Sequence, residues 1–146
     1  MQKVGRCMKH DVILNKVSII ERCLKRIDEE YDHDPQNLQN YTKQDSIILN
    51  LQRACEACID LAMHIVAEQK FGLPQHSRDA FALLEEHGVI SPSVSKKMKA
   101  MVGFRNIAVH NYQQLNLGIL QAIIDHHLDD FKHFAKAILD YAKKNG

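Results

Sequence analysis

The sequence contains no tryptophan, and aromatic residues make up only 6% of its 146 positions. A core with so few rings must be built from Leu, Ile, Val, Ala and Met. No run of about 18 consecutive apolar residues occurs, so the chain offers no membrane-spanning helix. The opening MQKVGRCMKHD also lacks the apolar central region of a secretory signal. We therefore expect a cytoplasmic protein.

Neither sign of charge dominates, since 19 Lys and Arg stand against 18 Asp and Glu and the net charge is +1. Nucleic-acid-binding domains are usually basic, so the overall charge does not mark one, but it leaves room for a local basic patch. The four cysteines are Cys7, Cys23, Cys55 and Cys58. Cys55 and Cys58 form one C-x-x-C without a second pair or paired histidines, so we interpret them as small apolar residues on one helix face. The sequence predicts neither a metal nor a cofactor.

Only three prolines and six glycines punctuate the chain, and they fall between stretches with helical periodicity. No stretch favours a strand. The pattern predicts an all-α protein, an up-and-down bundle of four long helices plus one short helix. We expect one helical domain over residues 1–146, in which residues 1–9 are a candidate flexible leader. The helical stretches cover residues 10–31, 42–72, 74–90, 91–112 and 116–144.

Local signals indicate where the helices begin and end. Asp45 or Ser46 can cap the second stretch, which is apolar almost all round and should be the central helix. Ser77 can cap the third stretch, and Gly88 can close it. Ser91–Pro92 has the cap-then-proline order that is typical of a helix start.

A narrow polar line crosses the second stretch at Arg53, Glu56 or Ala57, Asp60 and His64. Asp60 and His64 are four residues apart, so they can form an ion pair on one helix face. The alternative is that this line faces a cleft or a partner chain.

The fourth stretch ends in an unusually polar segment, GFRNIAVHNY, which holds Arg105, Asn106, His110 and Tyr112. Asn106 and His110 are four residues apart and share a helix face. Arg105 and His110 are five apart, which places them about 140° apart on a straight helix. They cannot share a small ligand within one chain unless the helix ends, bends or faces a second copy of itself.

These side chains suit the cleavage of RNA. Histidine takes or gives a proton near neutral pH, and arginine grips phosphate oxygens through a planar fork. A phosphodiester next to a 2′-hydroxyl needs a base and a positive group, without a metal, so the segment is compatible with a metal-free ribonuclease. A buried structural hydrogen-bond network is the alternative interpretation of the same residues.

The segment FRNIAVHNY resembles the R-x4-6-H motif of HEPN domains, and more closely the R-N-x-x-x-H-x-Y form of HepT-like toxins. Residues ACEACIDLAMHIVA, GLPQHSRDAFALLEEHGVI and SPSVSKKMKAMVGFRN are also similar to that family, so the likeness covers most of residues 10–140. The resemblance implies a helical bundle that pairs as a homodimer, in which Arg and His meet across the dimer interface. It further implies a toxin that cuts RNA without metal.

The resemblance also implies a partner and a modification. HepT-like toxins are paired with an antitoxin that is a minimal nucleotidyltransferase of the MNT type, which neutralises the toxin by transferring AMP to the motif tyrosine. Carried over by position, the catalytic residues are Arg105, Asn106 and His110, and the modified residue is Tyr112. A non-catalytic nucleotide- or substrate-binding subunit beside a nucleotidyltransferase is the alternative function, and a purely structural scaffold is a third.

RNA binding also needs positive charge beyond the motif. Three lysines lie upstream of Arg105 in the same stretch, and two further arginines lie elsewhere in the chain. The candidate RNA-binding residues are Lys96, Lys97, Lys99, Arg53 and Arg78.

Overall fold

A computed structural model describes residues 10–110 and 116–145, with the backbone alone for residues 109 and 110. A short 3₁₀ helix, Pro35–Gln39, joins the first two α-helices. Within these ranges there is no strand, and none of the helices is long and apolar enough to cross a membrane. The α-helices are α1 (His10–Tyr31), α2 (Tyr41–Gln69), α3 (Ser77–Glu86), α4 (Pro92–His110), α5 (Leu117–His126) and α6 (Leu128–Asn145).

Helix α2 is the centre of the bundle, as its apolar sequence predicts. It packs against α1, α3, α4 and α6. Helix α1 lies along it and buries a stripe of residues at three- and four-residue steps, the spacing that keeps side chains on one helix face. The buried stripe consists of Ile13, Val17, Ile20, Leu24 and Ile27.

The aliphatic core expected from the composition is correct for most positions but omits four phenylalanines and Tyr31, all of which are buried. Phe81, Phe131 and Phe134 are among the largest fully buried side chains. The rings of Phe81 and Phe134 meet edge to face, with centroids 5.5 Å apart, and join α3 to α6. The low aromatic content of the sequence therefore does not keep aromatic side chains out of the core. A single aromatic ring fills more space than a small aliphatic side chain, so a few rings contribute much of the core.

The predicted start of α2 is wrong, because the helix begins before Asp45 and Ser46. Asn40 is the cap, and its side-chain oxygen accepts a hydrogen bond from the backbone N–H of Lys43 at 3.1 Å. Asparagine is as good a cap as aspartate or serine. The 3₁₀ helix that ends at Gln39 delivers Asn40 in the extended conformation that capping requires.

The predicted cap of α3 is also shifted by one residue. His76 occupies the cap position, and Ser77 is the first helical residue. Asp79 organises this turn, since its carboxylate accepts the backbone N–H groups of Gln75 and His76, each at 3.0 Å. The hydroxyl of Ser77 is consequently free for a contact outside its own helix.

The predicted end of α3 and the predicted start of α4 are confirmed, whereas α2 ends at Gln69, three residues before the predicted end. Gly88 follows the end of α3 with φ at +73°, a left-handed conformation that glycine adopts without steric penalty. Ser91 accepts the backbone N–H of Val94 at 3.1 Å, and Pro92 is the first residue of α4.

The stretch predicted as the last long helix consists of two helices, so the described bundle has two short helices rather than one. His127 separates α5 from α6, and its Nδ1 lies 3.0 Å from the buried carboxylate of Asp130. Asp130 also lies 3.7 Å from Nζ of Lys97 on α4. No glycine or proline marks this break, which combines the local His127–Asp130 contact with the approach of Lys97 from another helix.

Burial explains the chemistry of the C-x-x-C pair. Cys55 and Cys58 are both in the core, and burial raises the pKa of the Cys55 thiol to about 12 and that of Cys58 well above its ordinary value. Both thiols therefore stay protonated at neutral pH and pack as apolar groups. Cys7 and the candidate leader at residues 1–9 lie outside the described residues.

A buried tyrosine ties the end of α1 to α5. The Tyr31 hydroxyl donates a hydrogen bond to Asp125 at 3.0 Å, and burial together with this bond raises the pKa of Tyr31 from 10 to about 12. Because the unfolded chain ionises first, the stability that this tyrosine contributes is complete below pH 10 and is lost as the pH rises through 12.

We expect Tyr31→Phe to lower the free energy of unfolding by about 1 kcal/mol at pH 8, the usual worth of such a bond. The difference from the parent protein should shrink as the pH approaches 12. Urea denaturation at a series of pH values measures both effects. Tyr41→Phe is the matched control, because Tyr41 is 79% exposed. Equal pH dependence of the two variants would contradict this role of Tyr31.

Candidate active site

Arg105 lies on the inner side of α4, against α2 and α3. Its side chain is only 20% exposed, and Val102, one turn earlier on the same helix, is buried. Arginine places its aliphatic stem in apolar surroundings and keeps its guanidinium for polar partners. The packing of α4 therefore delivers this guanidinium to the junction of three helices.

Two side chains from different helices hold the Arg105 guanidinium. One terminal nitrogen donates to the carboxylate of Glu56 on α2, and the other donates to the hydroxyl of Ser77 on α3 at 3.1 Å. Because the guanidinium is planar, two contacts from different directions fix its orientation. Its Nε is buried and has no hydrogen-bond partner within residues 10–110 and 116–145.

The Glu56–Arg105 pair is partly open to water. The Glu56 side chain is 45% exposed, so an anion approaching from solvent meets both partners of the pair. The N–H groups of Arg105 that do not contact Glu56 or Ser77 remain as donors. The arrangement can thus bind a phosphate oxygen without first breaking the ion pair.

A pocket of about 570 Å³ opens beside Arg105, and Asn106 and Arg78 share its lining. The Nε of Arg78 donates to the backbone carbonyl of Lys99 at 3.2 Å. Gly103 allows this approach, since a Cβ at that position would lie 3.1 Å from a guanidinium nitrogen of Arg78. Two of the candidate cations, Arg78 and Arg105, therefore face the same pocket.

His110 is the last residue of α4, and the helix runs to it without interruption. The five-residue step from Arg105 therefore corresponds to about 140° around the helix, and the bend or early end that would bring them together does not occur. Asn106 and His110 occupy one face of α4. The side chain of His110 is not among those described, and Tyr112 lies outside the described residues.

The lysines upstream of Arg105 separate into two groups. Lys96 and Lys99 share the face of α4 that also carries Asn106, as their spacing requires. Lys97 points elsewhere: it is near Asp130 and lines an apolar pocket of about 390 Å³ between α4 and α5. The structure therefore does not bring Lys97 to the pocket of Arg105.

The residues of the polar line on α2 contact different parts of the fold. The expected Asp60–His64 ion pair is wrong, because Asp60 instead pairs with Lys16 on α1 at 3.1 Å. His64 Nε2 is buried without a hydrogen-bond partner in the described part of the chain. Glu56, from the same line, contacts Arg105.

Glu56 and Ser77 are the site residues that sequence reasoning missed. Ser77 was assigned to a helix cap, and Glu56 was only one member of a polar line. A usable signal existed, since Glu56 is an isolated acidic residue between Ala54–Cys55 and Ala57–Cys58, all of them buried. An acid at such a position calls for a cationic partner from another element.

Comparison with known proteins identifies the family of this chain. The sequence pattern of the family described as Ribonuclease HepT-like matches residues 20–138. The mRNA nuclease HepT of Shewanella oneidensis is 52% identical over 129 residues, which are 88% of this chain and 97% of that protein. The tRNA nuclease HepT of Aphanizomenon flos-aquae is 26% identical over 91 residues, 62% of each chain.

Solved structures agree with this relationship. A tri-AMPylated HEPN toxin of Shewanella oneidensis in complex with an MNT antitoxin superposes with a TM-score of 0.85 at 52% identity, covering 89% of this chain and 98% of that one. The resemblance that the motif suggested and the all-α fold that it implied are both confirmed. Since the family pattern spans most of the sequence, the chain belongs to the HepT-like ribonuclease family.

Proposed function

We propose that this chain is a metal-independent endoribonuclease toxin that cuts RNA at a composite site across a homodimer. The observation that carries the proposal is the Arg105 guanidinium, which two neighbouring helices hold at the edge of a pocket. The family and the names of the two related nucleases support the reaction class.

In this mechanism Arg105 stabilises charge on the phosphate. The negative charge on the phosphoryl oxygens grows as the 2′-oxygen attacks phosphorus, and a positioned donor stabilises that state by more than it stabilises the substrate. Glu56 and Ser77 act as positioning residues, because they fix the plane of the guanidinium before RNA arrives.

His110 supplies the proton transfer. Its imidazole accepts the proton of the 2′-hydroxyl as the bond from the 2′-oxygen to phosphorus forms. The bond from phosphorus to the 5′-oxygen breaks, and that oxygen leaves with a proton from an imidazolium or from water. The products are a 2′,3′-cyclic phosphate and a 5′-hydroxyl end, and Asn106 is placed to orient the imidazole or a phosphate oxygen.

A second copy completes the site. Arg105 and His110 stand about 140° apart on the uninterrupted α4, so one chain cannot direct both at the same phosphate. When the α4 helices of two copies face one another, His110 of one copy meets Arg105 of the other. Lys96, Lys99 and Arg78 then lie near the same groove and add to the attraction for RNA.

The negative charge of a transferred AMP group accounts for neutralisation of the toxin by its partner. In this proposal, an MNT-type nucleotidyltransferase partner attaches AMP to Tyr112. The AMP group adds bulk and negative charge two residues after His110. The added phosphate repels the RNA backbone and blocks the groove. The tri-AMPylated toxin bound to an MNT antitoxin, 52% identical to this chain, supports this assignment.

Purified protein should cleave RNA in the presence of EDTA. Arg105→Ala and His110→Ala should each reduce cleavage by roughly 10²-fold or more, since each removes a group that acts in the transition state. Denaturing gels with analysis of the 3′ ends measure the effect. His133→Ala is the matched control, because His133 is exposed on α6.

Two results would count against this function. Cleavage that stops on chelation and returns with divalent cations would exclude a metal-independent reaction. Nucleotide binding in calorimetry with RNA that stays intact would favour the non-catalytic binding subunit.

Glu56→Ala should lower kcat by roughly 10-fold to 100-fold with a smaller effect on KM, because the loss of positioning acts on the transition state more than on binding. Glu56→Gln should restore part of kcat, since its amide oxygen still accepts from Arg105. The matched control is Asp60→Asn, one turn along the same face of α2, where the partner is Lys16. Identical kinetics for the Glu56 and Asp60 variants would leave Glu56 with a structural role only.

Co-expression with the cognate nucleotidyltransferase should raise the intact mass of the toxin by whole AMP units that map to Tyr112. Tyr112→Phe should remain unmodified and should still cleave RNA in the presence of the partner. Tyr41→Phe is the control, because Tyr41 is an exposed tyrosine far along the chain from the motif. If the Tyr112→Phe protein still carries AMP, the modified residue is not Tyr112.

A further inference from the structure

A second groove, separate from the pocket of Arg105, runs between α1 and α2 and concentrates positive charge. Its volume is about 420 Å³, and the described residues that line it include four cationic side chains and one acidic side chain, Glu29. None of the four makes a hydrogen bond or ion pair within the described part of the chain. The cationic residues are Arg22, Lys25, Arg26 and Arg53.

The sequence places these charges together through helix geometry. Arg22 and Arg26 are four residues apart on α1, so they project from the same face, and Arg53 lines the groove from α2. Like charges at this spacing repel one another and destabilise a helix. In a chain whose net charge is only +1, this groove therefore carries a local excess of positive charge, which Glu29 offsets only in part and which favours the binding of an anion.

The groove lies one helical turn along α2 from a residue that holds Arg105. Arg53 and Glu56 lie on the same face of α2, three residues and therefore about 4.5 Å apart along the helix axis. Glu56 in turn contacts Arg105. A chain of phosphates that has one member at Arg105 can thus continue along α2 into the groove.

The lining distinguishes between two kinds of occupant. Protein interfaces depend on buried aromatic or large apolar anchors, whereas the apolar part of this groove is limited to Ile19 and Cys23. Among the described residues that line the groove there is no aromatic side chain on which a base could stack, so these residues do not form a stacking platform. Guanidinium groups instead bind the phosphate oxygens of a phosphodiester backbone.

We propose that the α1–α2 groove is a binding track for the sugar–phosphate backbone of single-stranded RNA and that it extends the active site without reading sequence. This inference rests on the proposed nuclease function. The groove holds the strand on one side of the scissile phosphate, while Arg105 and His110 act on that phosphate.

The test compares RNA binding by the full-length parent protein and by Arg22→Gln/Arg26→Gln. The probe is a fluorescent single-stranded RNA with 2′-O-methyl groups, which binds but lacks the 2′-hydroxyl nucleophile. Anisotropy titrations over about 50 to 200 mM KCl give the slope of log K against log[salt]. The double variant should bind more weakly, with a slope smaller by about 1.4, since each lost contact to single-stranded phosphate accounts for roughly 0.7.

The matched control is Lys143→Gln/Lys144→Gln, which removes the same charge from the exposed last turn of α6. It should bind like the parent protein. Arg53→Gln tests the other wall of the groove and should lower the slope by about 0.7. Circular dichroism confirms folding, and Arg53→Gln alone decides the question if the double variant does not fold.

The proposal would be overturned if the slope of log K against log[salt] were the same for the groove variants and for the Lys143→Gln/Lys144→Gln control. A groove variant that loses affinity for the nucleotidyltransferase partner while keeping its affinity for RNA would also overturn it, because the groove would then be a protein interface. Since the probe cannot be cut, this result is independent of the cleavage assay, and failure of the nuclease function is distinguishable from failure of the groove.

Discussion

The contact of the Arg105 guanidinium with Glu56 and Ser77 is the interaction on which the site depends. It joins α4 to α2 and α3 at one point, and the buried stem of Arg105 makes the site continuous with the core. A guanidinium held in this way is already oriented for the phosphate that we propose it binds, so the cost of orienting it is met during folding. The constraint also explains why a strongly polar segment lies within a buried helix.

Although the net charge is close to zero, the cationic side chains that the structure describes fall into two groups, those that are paired within the fold and those that are not. Some are paired within the fold, as Lys16 is with Asp60, Lys97 with Asp130 and Arg105 with Glu56. Those of the α1–α2 groove have no such partner among the described residues. A total charge therefore says little about nucleic-acid binding in this fold, since attraction to phosphates depends on where unpaired charges gather.

Most of the helices were predictable from local signals. Periodic apolar residues identified the long helices, and Gly88 and Ser91–Pro92 marked boundaries correctly, because backbone conformation and capping depend on a few neighbouring residues. Two errors concern local contacts, since Asn40 rather than Asp45 or Ser46 caps α2, and the Asp79 carboxylate organises the turn in which His76 rather than Ser77 is the cap of α3. The break at His127 depends on Asp130, which Lys97 of another helix approaches, and no local breaker announces it.

The sequence by itself determined the all-α class, the family, and the positions of Arg105, Asn106 and His110 along one helix. Only the tertiary structure decided that Glu56 and Ser77 hold Arg105, that Lys97 turns to a different pocket, and that Asp60 pairs with Lys16. The physical reason is that helical spacing fixes which residues share a face of one helix. The packing angle and register between helices determine which of those faces meet.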